Sequence, residues 1–166
     1  MVLQLDLSRN QLCGINEYGQ GTYTAEGITA IANALRVNGG LTALDLSYNY
    51  LMDEGVSAVC EVIQSNKETK LASLNFGYNA IGPVGANSVV AMVSVTGALT
   101  KLSLAQNKLE EEGTKAICEA LKQNTTLKEL DISGDHNGSN INIGGRAGAK
   151  HVAKMLGVNG SLTEVR

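Results

Sequence analysis

The chain has 166 residues with 13 Lys and Arg against 16 Asp and Glu, and its formal net charge of −3 at pH 7 excludes the strongly basic surface typical of nucleic-acid binders. The length suits one domain, and we expect neither a signal peptide nor a membrane span, because no apolar run approaches about twenty residues. Three cysteines are too few and too scattered for a disulfide framework or a zinc site, so they predict a reducing, cytoplasmic location.

A pattern of apolar residues that ends with an asparagine recurs along the chain. Its clearest copy is Leu41-x-x-Leu44-x-Leu46-x-x-Asn49-x-Leu51. Further copies start near positions 2, 71, 99, 127 and, in part, 162, so that successive starts lie 39, 30, 28, 28 and 35 residues apart. This self-similarity predicts a repeat architecture with a unit near 28 residues and with insertions in the first and fifth units.

Each unit predicts a short strand followed by a helix. The second halves start at Gly27, Gly55, Gly85, Gly113 and Gly148. Apolar residues follow each glycine one, four, five and eight places later, which is one face of an α-helix. Stacked units would form a parallel sheet with the helices as the opposite layer. Because helices are about 10 Å wide and strands lie about 4.8 Å apart, the stack bends with its sheet inside. We therefore predict one α/β solenoid, a horseshoe arc, over residues 1–166.

The unit also resembles a known family. The segment from Leu99 to Leu127, LTKLSLAQNKLEEEGTKAICEALKQNTTL, is very similar to the repeat of ribonuclease-inhibitor-like leucine-rich repeat proteins. That subfamily includes ribonuclease inhibitor, Ran GTPase-activating proteins and the sensing domains of NOD-like receptors. The resemblance covers essentially the whole chain and is specific for the fold. It is only weakly specific for function, because the same scaffold serves inhibitors, receptors and regulators.

Asparagines recur at two fixed offsets, and both sets have a structural interpretation. The first set follows the predicted strands, where a short polar side chain can bond to backbone groups of its own turn and of the next unit; this ladder comprises Asn10, Asn49, Asn79, Asn107 and Asp135. The second set ends the predicted helices, where a left-handed cap is common; it comprises Asn38, Asn66, Asn124 and Asn159. Asn124 and Asn159 also open glycosylation sequons, for which capping is the better interpretation without secretion.

Residues suited to catalysis or metal binding are scarce. The only histidines are His136 and His151, and no nucleophile or metal-ligand set clusters around them in the sequence. The residues from Asp135 resemble the start of a calcium loop, but the twelfth position is Arg146, where such a loop needs a bidentate Glu. Cys60 and Cys118 occupy an apolar helix position and are predicted to be small buried residues. We therefore expect no enzyme, no cofactor and no metal.

The strands and the turns after them offer candidate binding residues. Between the inward leucines, Asp6, Asp45 and Asp131 share one outward column that continues through Asn75 and Ser103. This column either faces a basic partner or reflects a strand sequence, Asp-Leu-Ser, that is common in this family. Tyr48 and Tyr78 follow adjacent strands at one offset and should stand side by side, as interface anchors often do.

Two insertions fall between a strand and a helix, and we expect both at the same rim of the arc. The first adds about eleven residues between Asn10 and Gly27, and the second adds about seven from His136 to Arg146. Long loops on a rigid scaffold often carry function, although a tolerated insertion without function is the open alternative. The predicted partner-binding residues are Asp45, Tyr48, Asn75, Tyr78 and Lys101, flanked by Tyr18 and Tyr23 at one end and by His136 and Arg146 at the other.

These features favour a protein–protein interaction module that binds a partner protein on the concave face and the loop rim, with no nucleic acid or membrane as partner. One alternative is a GTPase regulator of the Ran-activating type, whose active residues have no counterpart that we can match here. Another is a structural piece of a larger receptor. End-to-end pairing of copies is also expected, because Leu162 and Val165 begin a strand whose outer edge is open.

Overall fold

Strands and helices alternate along the chain in a computed structural model, which describes residues 3–16, 18–135, 138 and 141–166. Within these ranges the elements are β1 (Leu3–Asp6), α1 (Glu26–Leu35), β2 (Leu41–Asp45), α2 (Met52–Ser65), β3 (Ser73–Asn75), α3 (Pro83–Val93), β4 (Lys101–Ser103), α4 (Glu110–Leu121), β5 (Glu129–Asp131), α5 (Gly145–Leu156) and β6 (Glu164–Val165). The strands form one sheet in the order β1 to β6, and every neighbouring pair is parallel. This is the predicted α/β solenoid, with the sheet on its concave side and five helices on its convex side.

The core lies between the sheet and the helix layer. The register aligns Leu44 with Leu74, Leu74 with Leu102 and Leu102 with Leu130, so that equivalent leucines of successive repeats stack in one column. All four are buried, and each helix packs against the next. Burial in stacked layers explains why so few aromatic residues are needed, because aliphatic side chains fill each layer.

The helices begin one to three residues before the glycines that the periodicity marked as their start. These glycines lie in the first turn of each helix, where the preceding turn passes very close. At Gly148 a β-carbon would overlap the carbonyl oxygen of Ile143, and at Gly27 it would collide with the carbonyl of Leu12. Glycine is required here because its missing side chain lets two backbone segments touch.

A ladder of buried asparagines runs along the ends of the strands. Its rungs in successive repeats are Asn49, Asn79, Asn107 and Asn142. The Nδ2 of Asn79 donates to the carbonyl oxygens of Leu46 (2.9 Å), Phe76 (3.1 Å) and Gly77 (3.1 Å). Its Oδ1 accepts from the backbone N–H groups of Asn49 (3.0 Å) and Leu51 (3.2 Å). Each rung therefore ties its own turn to the preceding repeat.

The two ends of this ladder differ from the sequence prediction. Asn10 is exposed, and its side chain donates only to the carbonyl of Ser8. The fifth rung is Asn142 and not Asp135, because Asn142 Nδ2 donates to the carbonyls of Leu104 (2.9 Å) and Ile132 (3.0 Å). An ionised carboxylate has no N–H to donate, so it cannot satisfy these two carbonyls. The amide that can do so follows the second insertion.

The second set of asparagines forms another row at the opposite end of the strands, but not by left-handed capping. None of the four has a positive φ, and Asn66 is extended with φ −86° and ψ 98°. Its Nδ2 instead donates to the carbonyls of Leu35 (2.9 Å) and Asn38 (3.0 Å) in the preceding repeat. In the two sequons, Asn124 Nδ2 donates to the carbonyl of Val93 and Asn159 Nδ2 to that of Leu121. These amide groups are therefore held inside the fold.

All three cysteines are free and buried, which confirms the prediction for Cys60 and Cys118. Burial raises the pKa of the Cys118 thiol to about 11, and it also raises the pKa of Cys60 and of Cys13. The thiolate is the reactive form of cysteine, and a raised pKa keeps these groups as thiols. They therefore act as small apolar residues of the core.

In the part of the chain that the structure describes, no helix has the length and apolar character needed to cross a bilayer.

Candidate partner-binding site

Tyr48 and Tyr78 stand side by side at the end of the sheet. Their ring centroids are 3.8 Å apart and the ring planes differ by 16°, so the rings are stacked. The guanidinium carbon of Arg9 lies 4.0 Å from the centroid of the Tyr48 ring. Three consecutive repeats therefore contribute one planar group each to a continuous stack, Arg9–Tyr48–Tyr78. Both the cation–π contact and the ring stacking hold these side chains in fixed positions.

The stack follows from the turn that ends each strand. The residue before each of the first four asparagine positions is Arg9, Tyr48, Tyr78 and Gln106, and all four have φ between 52° and 59°. This left-handed conformation costs roughly 1–2 kcal/mol for a residue with a side chain, so the surrounding turn must enforce it. The backbone N–H of Tyr48 donates to the carbonyl of Gly77 at 3.0 Å, and that of Tyr78 to the carbonyl of Ala105 at 2.9 Å. Identical turns therefore place the four side chains in one row.

The residues that directly follow the same four asparagine positions form a second row beside the first. They are Gln11, Tyr50, Ala80 and Lys108. The two rows enclose a cleft of about 680 Å³, which we call the rim cleft, lined by Arg9, Gln11, Tyr48, Tyr50, Tyr78, Ala80, Gln106 and Lys108. The sequence analysis identified only Tyr48 and Tyr78 among these residues. The signal for the others was the same repeat offset, extended from the tyrosines to neighbouring units and to residues that are not aromatic.

The charges around the rim cleft are uneven. Its lining includes Arg9 and Lys108 and no carboxylate, although the chain as a whole is negative. The pKa of Tyr78 is raised to about 12, first by a hydrogen bond with the Tyr48 side chain and then by burial and the nearby charge of Asp135, against a smaller opposite effect of Arg9. Tyr78 is therefore a neutral hydroxyl group at ordinary pH, with a negative charge near its end of the row.

The predicted concave residues form a separate polar surface on the sheet. Asp45 accepts hydrogen bonds at Oδ1 from the backbone N–H and the hydroxyl of Ser47 (2.8 and 2.7 Å) and at Oδ2 from Asn75 Nδ2 (2.9 Å). Lys101 Nζ lies 2.7 Å from a carboxylate oxygen of Glu129. Asp45 and Asn75 thus lie together, and Lys101 is on the next strand, but none of the three lines the rim cleft.

Tyr23 connects the first insertion to the next repeat. Its ring is half-buried, and its hydroxyl donates to the carbonyl of Leu51 at 2.9 Å. Burial is the main cause that raises its pKa to about 12, and Cys13 lies beside it. A hydroxyl group held by a backbone carbonyl of the next repeat anchors the first insertion to the core.

Tyr18, in contrast, is presented to solvent at the tip of the first insertion, with 77% of its surface exposed. Among the described residues of this insertion, Ile15 and Gly21 form an antiparallel bridge. Asn16 Oδ1 accepts from the backbone N–H groups of Tyr18 (3.0 Å) and Gln20 (2.9 Å). The insertion therefore presents Tyr18 on a preorganised turn.

At the other end of the arc, Arg146 is exposed in the first turn of α5 and does not line the rim cleft. His136, which was predicted to flank the site there, lies outside the described residues. Among the residues that the structure describes, no group of three or more His, Cys, Asp or Glu side chains is placed to hold a metal ion. The arrangement seen in the described residues is a stacked aromatic cleft beside a polar sheet.

Comparison with known proteins relates the repeats to a family. The family model described as Leucine Rich repeat matches residues 41–60, 67–90 and 123–134. NACHT, LRR and PYD domains-containing protein 13 of Homo sapiens is 32% identical over 104 residues, which are 63% of this chain and 10% of that protein. Protein 5 of the same series from Bos taurus is 30% identical over 124 residues, 74% of this chain and 11% of that protein. The chain spans about a tenth of the length of these curated relatives.

Solved structures share the fold at low sequence identity. Leiomodin-1 actin-binding site 2 superposes with a TM-score of 0.65 at 19% identity, covering 94% of this chain and 79% of that one. The tropomodulin C-terminal domain of Caenorhabditis elegans gives 0.63 at 13% identity, covering 95% and 84%. These likenesses establish the solenoid alone. In sequence, parts of the chain match the Leucine Rich repeat model, and the chain is similar to segments of NACHT, LRR and PYD domains-containing proteins.

Proposed function

We propose that the chain is a non-catalytic module that binds a partner protein in the rim cleft and on the adjoining concave face of the sheet. The observation that carries this proposal is the Arg9–Tyr48–Tyr78 stack. Tyrosine and arginine are among the residues that most often dominate the binding energy of protein interfaces. Because the stack is already ordered, a partner would not have to immobilise these side chains, which lowers the cost of association.

The remaining predicted residues surround this centre in the proposal. Asp45, Asn75 and Lys101 would form the polar periphery on the sheet, and Tyr18 would contact the partner from the first insertion. The similarity to NACHT, LRR and PYD domains-containing proteins supports a binding role, because leucine-rich repeats place variable side chains on a rigid support. We place the module in the cytoplasm, which fits its three free cysteines.

Truncating the stacked tyrosines is expected to weaken partner binding strongly. Tyr48→Ala and Tyr78→Ala should each cost about 2 kcal/mol of binding free energy, or roughly thirtyfold in Kd, because each removes a large preorganised contact. The partner is first captured on the intact chain and retained only if it is lost on the double variant. Its Kd is then measured by calorimetry for each single variant.

The matched control is Lys122→Ala on the convex side, directly after α4, where Lys122 forms an ion pair with Glu119. This variant should bind as the wild type does, and all variants must show unchanged thermal unfolding. Equal weakening by Lys122→Ala, or wild-type affinity in both tyrosine variants, would show that the site lies elsewhere.

We also propose that copies of the 166-residue chain associate end to end. Leu3 and Leu5 of β1 are 41% and 38% exposed, and in the described residues β1 pairs only with β2 while β6 pairs only with β5. Open strand edges recruit other strands, so sedimentation velocity over rising concentration should reveal a dimer. A constant monomer mass over that range would contradict this proposal.

A further inference from the structure

We infer that the partner segment bound in the rim cleft is an acidic, extended peptide whose carboxylates meet Arg9 and Lys108 and whose apolar side chain covers the stacked tyrosines. This inference rests on the proposed function and adds the chemistry of the partner to it. It is carried by the charges of the cleft, by the geometry of Arg9 and by the spacing of the repeats.

The two cations of the rim cleft lack partners of opposite charge. Arg9 and Lys108 are both exposed, and among the described residues neither forms an ion pair. By contrast, Lys101 and Lys122 each lie 2.7 Å from a carboxylate oxygen. Two unpaired cations in a cleft without carboxylates attract an acidic ligand, even though the whole chain has a net charge of −3.

The geometry of Arg9 leaves its hydrogen-bond donors available. Its guanidinium carbon lies over the Tyr48 ring, and among the described residues the Arg9 side chain forms neither an ion pair nor a hydrogen bond. The N–H donors point outward in the plane of the guanidinium, and they match the two oxygens of a carboxylate. An arginine held in this way is preorganised for bidentate binding of an Asp or Glu side chain.

The carboxylates of the concave column are already engaged within the chain. Asp45 accepts three hydrogen bonds from Ser47 and Asn75, and Asp131 accepts two from Ser133 at 3.0 and 2.7 Å. Because these carboxylates already accept hydrogen bonds from the chain itself, they attract a basic partner less strongly.

The spacing of the repeats sets the length of the bound segment. Arg9 and Lys108 belong to the first and fourth repeats, which are three strand spacings apart, or about 14 Å. An extended peptide advances about 3.3 Å per residue, so about four residues separate the two cations. We therefore expect two carboxylates about four residues apart with an apolar or aromatic side chain between them.

The test is a selection from a display library of random short peptides on the intact chain, with the Tyr48→Ala/Tyr78→Ala double variant used to remove peptides that bind elsewhere. Acidic peptides with this spacing should be enriched. For a synthetic enriched peptide, Arg9→Gln combined with Lys108→Gln should raise Kd about tenfold or more, because two charge-assisted hydrogen bonds are lost. The matched control is Lys67→Gln, an equal change of charge at an exposed residue after α2.

The outcomes separate this inference from the proposed function. Enriched peptides that depend on the tyrosines but are neutral or basic would overturn the inference and leave the proposed function standing. The same holds if Arg9→Gln with Lys108→Gln changes Kd no more than Lys67→Gln does. Failure to enrich any tyrosine-dependent peptide would count against both. Competition by a single-stranded oligonucleotide at equal concentration would also overturn the inference, since stacked aromatic rings with cations suit nucleic acid as well.

Discussion

Replacing Asn79 with alanine is expected to lower the free energy of unfolding by about 3 kcal/mol or more. Asn79 is fully buried, and its side chain forms five hydrogen bonds with the backbone of two repeats. Alanine leaves those N–H and carbonyl groups without a partner in the core, and each unsatisfied group costs about 1–3 kcal/mol. Urea unfolding followed by circular dichroism measures the loss as a lower midpoint at an unchanged slope.

The chain offers a matched control at the exposed end of the same ladder. Asn10 occupies the equivalent sequence position, but its side chain donates to one carbonyl and is exposed to solvent. Asn10→Ala should therefore cost about 1 kcal/mol or less. If the two substitutions destabilised the protein equally, burial of the ladder would not be the source of its stability.

Truncating Phe76 is expected to have an effect of similar size through a different mechanism. Phe76 is the only phenylalanine, and it fills the core position that Leu46 and Leu104 occupy in the adjacent repeats. All three side chains are fully buried. Phe76→Ala should lower the free energy of unfolding by about 3–5 kcal/mol, because it removes apolar contacts and leaves a cavity between two filled layers.

Two further substitutions distinguish a cavity from a general intolerance to change. Phe76→Leu restores the residue type of the neighbouring repeats and should cost only about 1 kcal/mol. Val84→Ala removes a side chain that is 66% exposed on α3 and should change stability by less than about 0.5 kcal/mol. A loss for Phe76→Leu as large as that for Phe76→Ala would contradict the cavity explanation. All three variants are compared by urea unfolding at one temperature.

The fold could be predicted from the sequence because the same pattern of apolar residues and asparagine recurs along the chain. Five copies of one pattern and a partial sixth specify the same kind of repeat, so an error in one copy does not change the architecture. The same redundancy predicted that Tyr48 and Tyr78 would be neighbours, since equal offsets in adjacent repeats occupy adjacent places in the sheet. The helix starts were less accurate, because periodicity marks the buried face and not the first hydrogen-bonded turn.

The sequence failed where a residue depends on contacts that the repeat does not specify. Asp135 was chosen for a ladder rung by its offset, whereas the second insertion displaces that rung to Asn142. Nothing in the local sequence indicated that the Tyr23 hydroxyl donates to the carbonyl of Leu51 in the next repeat. Arg9 was not identified as a site residue, because its contact with the Tyr48 ring is known only from the structure.

The asparagine ladder also determines how the repeats come apart. Asn107 Oδ1 accepts from the N–H groups of Asn79 and Ile81 at 3.0 Å each, so unfolding of the fourth repeat exposes donors of the third. The corresponding bond from Leu109 to Asn142 stretches to 3.4 Å, after the second insertion. The bond from Leu12 to Asn49 at the first junction is similarly long, at 3.3 Å, so we expect coupling between neighbours to be strongest across the centre. Fraying at equilibrium should start with the terminal repeats, while the central repeats that carry Tyr48 and Tyr78 stay folded as one unit.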